Sequence, residues 1–308
     1  MARAVVFAYH DVGVRCLSVL LAAGVEVALV VTHRDNPEEN IWFGSVERLA
    51  REHGLDVVTP EAPDDELLSR IEALAPDFLF SFYYRHMLPP AFLAAARRGA
   101  FNVHGSLLPR YRGRVPVNWA ILRGERETGA TLHEMVAKPD AGRIVDQMAV
   151  PILPDDMALE VFRKVTVAAE IVLHRSLPRL LEGTAQMHPQ DLAAGSYFGG
   201  RKPEDGRIRW DQGAREIHDL VRAVAPPYPG AFTDVRGTRV RVLRTLVTGE
   251  RRKPAPPVLC LDADRILARC ADGGELHLIE CELEGVRLGP PQFRERFGRG
   301  PVPLGESA

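Results

Sequence analysis

The sequence from Phe101 to Trp119 reads FNVHGSLLPRYRGRVPVNW, and it gathers an amide, an imidazole and several guanidinium groups in one short stretch. Its apolar start predicts a strand, which places Asn102 and His104 two residues apart on one face. Gly105 and Ser106 follow as a small-residue turn. Beyond them come Pro109, the alternate arginines Arg110, Arg112 and Arg114, Gly113, Pro116, and a short helix with Asn118 and Trp119. A second turn, Lys138-Pro139-Asp140-Ala141-Gly142, adds a carboxylate. An amide donor, a proton carrier and a carboxylate suit acyl transfer: Asn102 for a developing oxyanion, His104 as acid and base, Asp140 to act on the imidazole. No serine or cysteine occupies a nucleophile elbow, so the nucleophile belongs to the substrate. A strand-end Asn and His also commonly satisfy buried backbone groups. The turn that follows them, and Asp140 facing it, favour the catalytic reading.

Such groups need a sheet to hold them, and the preceding hundred residues supply one. Ala4 to Ala8, Val25 to Thr32, Asp56 to Thr59 and Asp77 to Phe82 read as buried strands. Between them run helical patterns: Val14, Leu17, Leu20 and Leu21 before Gly24; Val46, Leu49, Ala50 and His53 before Gly54; Leu68, Ile71 and Leu74 behind Asp64 and Asp65; then Pro89 to Arg98. This alternation specifies a Rossmann-like, doubly wound parallel sheet covered on both faces, because each parallel crossover needs a returning helix. The first strand-to-helix turn, AYHDVG, lacks G-x-G-x-x-G, which argues against NAD. Gly129 to Val136 and Ile144 to Val150 read as two more strands. Asp155 and Asp156 cap a long helix through Leu159, Phe162, Val165, Ala169 and Val172, which Pro178 should kink or interrupt.

After about His188 the texture changes. A polar linker leads to an amphipathic helix with Ile217, Leu220, Val221 and Val224, stopped by Pro226 and Pro227. Short strands follow, with Val240 and Val242 alternating with Arg239 and Arg241, and Ile279, Cys281 and Leu283 alternating with glutamates. The inward phase slips after Leu276 and Leu278, which a β-bulge accommodates. The predicted organisation is a catalytic domain over 1–188, a linker over 189–202, and a small OB-like β-barrel over 203–308.

The composition limits partners and compartment. The chain of 308 residues carries a net charge of −2, without the basic excess of a dedicated nucleic-acid binder. Cys16, Cys260, Cys270 and Cys281 have no metal or redox spacing and read as buried thiols of a reduced, cytoplasmic protein. No apolar run reaches the length of a signal core or a membrane span, and no metal site is expected. His10, His53, His133 and His218 read as ordinary structural or surface histidines. Arg110 and Arg112 read equally as ligands of a carboxylate or diphosphate and as solvated charges, and Arg114 leans toward a ligand.

The motif N-x-H-G-S-L-L-P-x-Y-R-G, followed after about thirty residues by D-A-G, resembles the folate-dependent formyltransferases. AYHDVG, HRDNPEEN, SFYYRH, FGGRKPEDG and PPYPGAF extend the likeness along nearly the whole chain. Within that family these motifs resemble the module that N-formylates UDP-4-amino-4-deoxy-L-arabinose, which implies a place in lipid A modification and polymyxin resistance. The resemblance implies N10-formyltetrahydrofolate as co-substrate, His104 as acid/base, Asn102 as oxyanion stabiliser and Asp140 as the carboxylate acting on His104. It implies folate contacts at His86, Met87, Leu88, Arg114 and Val136, Ala137, Lys138, Pro139 and Asp140, and sugar-nucleotide contacts at Asn118, Arg201 and Tyr228. In the best-known members this module is fused to an oxidative decarboxylase domain; the sequence stops at Ala308, so neither a second activity nor the assembly that domain would provide is expected of it, and a homo-oligomer is the assembly considered. Methionyl-tRNA formyltransferase shares the core but favours a basic linker and barrel, where Glu280, Glu282 and Glu284 stand here. A non-catalytic folate- or nucleotide-binding protein is the third reading, and the intact Asn102, His104 and Asp140 weigh against it.

Overall fold

The structure, a computed structural model, describes residues 2–298 and 300–305. Its chain divides into two compact units that interleave in sequence. The first takes the chain up to Pro116, Glu127–Pro151 and Phe162–Gly199; the second takes Val117–Arg126, Ile152–Val161 and the chain from Gly200 onward.

In the first unit, β1 (Arg3–Ala8), α1 (His10–Ala22), β2 (Glu26–Val31), α2 (Val46–Glu52), β3 (Val57–Val58), α3 (Asp65–Leu74), β4 (Phe78–Phe82), α4 (Pro90–Ala94) and β5 (Ala100–His104) follow the expected alternation. Local chemistry sets the ends. The Asp64 side chain accepts from the Leu67 N–H at the start of α3, and Ser45 accepts from Arg48 N–H at the start of α2. Central strands such as Phe78–Phe82 are buried at every residue, as a sheet covered on both faces requires. Phe7, Leu29, Leu79, Ile71 and Phe92 fill one of the layers.

After β5 come β6 (Arg112–Gly113), α5 (Pro116–Leu122), β7 (Glu127–Glu134), β8 (Ile144–Pro151), α6 (Ala158–Glu182) and β9 (Tyr197–Phe198). The main sheet has the order β3-β2-β1-β4-β5-β7-β8. Its first five strands run parallel, and β7 and β8 close the edge antiparallel. β6 and β9 pair separately as a two-stranded parallel sheet.

Two local expectations change. Helix α6 runs unbroken through Pro178. The buried row continues past the proline, with Leu173, Ser176, Leu177 and Leu180 all inside, so packing outweighs the lost hydrogen bond. The helix also begins at Ala158, after Asp155 and Asp156; the Glu160 carboxylate accepts from Met157 N–H.

The second unit contains α7 (Ala214–Val224), β10 (Ala231–Val235), β11 (Thr238–Arg251), β12 (Val258–Asp262), β13 (Arg265–Arg269), β14 (Gly274–Leu283), β15 (Val286–Arg287), α8 (Pro290–Phe297) and β16 (Val302–Pro303). Its antiparallel strands curl into a half-barrel in the order β10-β11-β14-β13-β12-β16, over a core that includes Ile217, Val221, Val240, Leu276 and Phe293. The phase slip in β14 is real: Thr245 pairs Leu278, Arg244 pairs Glu280, and Ile279 is bulged between them. All four cysteines are free and buried. No helix among the described residues is long and apolar enough to cross a membrane.

Candidate active site

The carboxyl end of β5 carries Asn102 and His104, and the antiparallel ladder sets β7 beside it with Asn102 opposite His133 and His104 opposite Thr131. Asp140 arrives from the turn after β7 in the left-handed region, φ 50°. The three sequence-selected groups therefore meet within one unit. His104 Nδ1 lies 3.6 Å from Asp140 Oδ1, and His133 Nε2 lies 3.6 Å from the same oxygen.

Hydrogen bonds assign each ring nitrogen a role. His104 Nε2 is 2.8 Å from the Tyr111 carbonyl, which can only accept, so Nε2 carries a proton and donates it there. Nδ1 is then the nitrogen that faces Asp140. His133 Nδ1 donates to the Glu134 carbonyl at 2.8 Å, and its Nε2 accepts from the Asn102 amide at 3.0 Å. Burial foremost, with the His104 charge adding and Asp140 opposing, pushes His133 down to about 4, so the ring is neutral at pH 7. Asn102 thus has its –NH2 end fixed by a neutral acceptor and keeps one N–H to give.

Asp140 shows the opposite balance. Burial alone would raise its carboxyl, but the facing His104 and His133 rings, the Gly113 N–H at 2.8 Å and the Arg112 guanidinium outweigh it and hold the carboxyl below its ordinary range. Of the alternate arginines, Arg110 and Arg114 are exposed, whereas Arg112 is buried at 8% exposure. A shelf of hydrogen bonds supports the turn behind His104. Thr131 Oγ1 donates to the Ser106 carbonyl at 2.6 Å and accepts from Leu108 N–H, while Gln147 donates to the Leu108 carbonyl.

The other sequence-selected residues fall into distinct surroundings. His86 and Met87 are exposed beyond β4, as are Val136, Ala137 and Lys138 on the Asp140 turn, with Pro139 half-buried. Leu88, by contrast, is buried at 5% exposure, in the same apolar cluster as Phe92. The His86 ring stands 5.0 Å from His33, beside the Arg85–Glu39 ion pair. In the second unit, the Asn118 amide is buried and donates to the Ala223 carbonyl at 2.7 Å. Its neighbour Tyr228 has its phenol raised to about 12, by burial against an opposing hydrogen bond with Asn118. Arg201 lies over the Trp119 ring at 5.0 Å.

The sequence reading missed His133. The alternation in Thr131-Leu132-His133 places Thr131 and His133 on one face, but the register that brings His133 to Asn102 depends on an antiparallel pairing that the pattern does not specify. The His10 ring stacks on Phe43 with centroids 3.8 Å apart, and burial, then Arg85, lowers it to about 3. Among the described residues no group of His, Cys, Asp and Glu could hold a metal ion. A strand-end amide with one free N–H, beside an imidazole that faces a carboxylate, can stabilise a developing oxyanion and move a proton.

Residues 14–177 match the family model described as formyl transferase, and residues 201–293 match that of the formyl transferase C-terminal domain. An N-formyltransferase from Helicobacter canadensis, solved with folinic acid and dTDP-3-aminofucose, has a TM-score of 0.72 at 20% identity, covering 90% of this chain and 99% of that one. A 4-N formyltransferase from Francisella tularensis has a TM-score of 0.63 at 20% identity, over 77% and 95%. HypX from Aquifex aeolicus, solved with tetrahydrofolic acid, has a TM-score of 0.64 at 18% identity, over 97% of this chain and 48% of that one. At these identities the likeness is one of fold.

Proposed function

The chain belongs to the formyl transferase family, a family of enzymes that move formyl groups, and we propose that it carries the formyl group of N10-formyltetrahydrofolate to the 4-amino group of a nucleotide-linked sugar, UDP-4-amino-4-deoxy-L-arabinose. The observation that carries this reading is the convergence of Asn102, His104 and Asp140 at the end of β5. The solved neighbours named above support the substrate classes, since one binds folinic acid and a dTDP-linked amino sugar and another binds tetrahydrofolate.

On this reading the neutral sugar amine attacks the formyl carbon, and a new C–N bond forms. The remaining Asn102 N–H donates to the oxygen as it becomes negative. His104 takes the proton that the amine loses and returns it to N10 as the C–N10 bond breaks, working through Nδ1 because Nε2 is committed to Tyr111. Asp140 stabilises the imidazolium in between. His86, Met87, Leu88, Arg114 and Val136 to Asp140 are assigned to the folate, and Asn118, Arg201 and Tyr228 to the sugar nucleotide. The acceptor would feed lipid A modification.

The test is release of tetrahydrofolate from N10-formyltetrahydrofolate with UDP-4-amino-4-deoxy-L-arabinose, with dTDP-linked 3- or 4-amino sugars, and with methionyl-tRNA in parallel. Turnover with the UDP sugar at the highest kcat/KM supports the full proposal. Preference for a dTDP sugar moves the acceptor, preference for tRNA replaces it, and no release with any amine defeats the enzyme reading.

A further inference from the structure

Ser196, Tyr197 and Phe198 lie between the two family matches and outside every role assigned so far. This segment, β9 and the residue before it, runs alongside the loop after His104. Four consecutive N–H groups of that loop are taken in order. Tyr111 N–H donates to Ser196 Oγ at 2.8 Å, Arg112 N–H to the Ser196 carbonyl at 3.0 Å, and Arg114 N–H to the Phe198 carbonyl at 2.9 Å. The ladder leaves Gly113 N–H pointing to the other side, where it donates to Asp140 Oδ2 at 2.8 Å. The carbonyl of Tyr111 accepts from His104 Nε2. Two backbone groups of Tyr111–Gly113 therefore hold both His104 and Asp140, and their conformation is set from β9.

That conformation is one the loop would not keep by itself. Tyr111 and Val115 have φ of 58° and 45°, in the left-handed region that side-chain-bearing residues, β-branched ones above all, disfavour. Gly113 has φ 95°, and a Cβ there would overlap the Phe198 carbonyl oxygen; one on Gly195 would overlap that of Pro109. The strand thus approaches as closely as backbone allows. The Tyr111 and Phe198 rings stack with centroids 5.3 Å apart and 13° between planes.

The geometry points to Ser196–Phe198 as a positioning strap for formyl transfer, one that sets the distance between His104 and Asp140 by fixing Tyr111 and Gly113. The inference rests on the proposed function for its kinetic readout. Strap residues touch no reacting atom on this account, so they act on kcat through geometry and leave ground-state binding alone.

The test compares Ser196→Ala, Ser196→Thr and Phe198→Ala with wild type in the tetrahydrofolate-release assay, and follows the His104 ring by 15N NMR. Misplacement of a reacting group by about 1 Å costs on the order of 10² in rate. Ser196→Ala, which removes one contact, is expected to lower kcat about tenfold with both KM values within about twofold, and Ser196→Thr to recover most of it. Phe198→Ala is expected to do at least as much. In the NMR arm, the His104 Nε2 resonance shifts and the Tyr111 and Gly113 amides exchange faster in Ser196→Ala. An unchanged kcat in both alanine variants overturns the strap, as does a loss confined to KM, or a loss that follows unfolding and is not recovered by threonine. Should wild type itself release no tetrahydrofolate, the functional reading fails and the NMR arm decides alone; an unperturbed His104 then overturns the strap.

Discussion

His104 Nδ1 and Asp140 Oδ1 face each other across 3.6 Å, too long for a hydrogen bond and short enough for a strong charge interaction. Asp140 is meanwhile anchored by its other oxygen to Gly113 N–H. The two functions of the carboxylate, charge and anchor, are therefore separable. Asp140→Asn keeps an oxygen for Gly113 but removes the charge, and kcat is expected to fall on the order of 10² to 10³. Asp140→Ala also releases Gly113 and should fall further. Steady-state tetrahydrofolate release measures both, and an Asp140→Asn enzyme within about threefold of wild type would show that the imidazolium needs no counter-charge.

His133 makes a prediction about hydrogen-bond polarity. Its neutral Nε2 receives one Asn102 N–H, so the amide cannot flip and present its oxygen to the oxyanion. His133→Phe leaves the amide without that acceptor, whereas His133→Gln can still offer an oxygen. The expected order of kcat is wild type, then Gln, then Phe, with Phe about tenfold or more below wild type, in line with a misplaced donor. Equal rates for Phe and wild type would mean that the Asn102 orientation is set elsewhere.

What the sequence makes legible here are the elements with a period. Buried apolar runs give β1 to β5, and the caps at Asp64, Gly24 and Gly54 mark helix ends, because burial and capping act over a few neighbouring residues. Asn102, His104 and Asp140 are visible since their residue types suit one chemistry. The strands Arg112–Gly113 and Tyr197–Phe198 are not, because two residues carry no period and their pairing joins distant parts of the chain. His133 is hidden for a similar reason: its function comes from a cross-strand register. Pro178 misleads because a helix-breaking preference of about 3 kcal/mol is a local quantity, and the buried Leu177 and Leu180 on either side oppose it.

In the second unit, Arg222 and Asp219 form an ion pair at 2.8 Å with side-chain exposures of only 3% and 6%. Arg222 also donates to the Asp156 carbonyl at 3.1 Å, tying α7 to the segment before α6. Removing one partner strands the other charge. Asp219→Ala is expected to destabilise by about 3 to 5 kcal/mol. Replacing both residues with apolar side chains of similar volume should cost much less, and urea unfolding followed at Trp210 compares the variants. A single Asp219→Ala no worse than the double replacement would place the pair in effective contact with water.

The buried histidines predict an acid-sensitive fold with a definite sign. In the unfolded chain a histidine titrates near 6.5. In the folded chain burial holds His133 and His33 at about 4 and His10 at about 3, with neighbouring charges adding smaller effects. Between those limits the unfolded chain binds protons that the folded chain refuses, so stability rises with pH through the window and is lost as pH falls. For the fully buried His133 alone, the loss by pH 5 is at most about 2 kcal/mol, since one pKa unit is about 1.4 kcal/mol. His33 is half-exposed and contributes in the same direction. The depressed Asp140 carboxyl adds its own loss at more acid pH, from the ordinary carboxylate range downward. Calorimetry is expected to show Tm falling from pH 7 to pH 5, with net proton uptake on unfolding at pH 5. His133→Gln should reduce both the slope and the uptake, because glutamine takes up no proton in either state. A wild-type Tm that stays level over this range, or a His133→Gln slope equal to that of wild type, would mean that the His133 ring is already charged in the folded protein, and the acceptor role toward Asn102 would go with it.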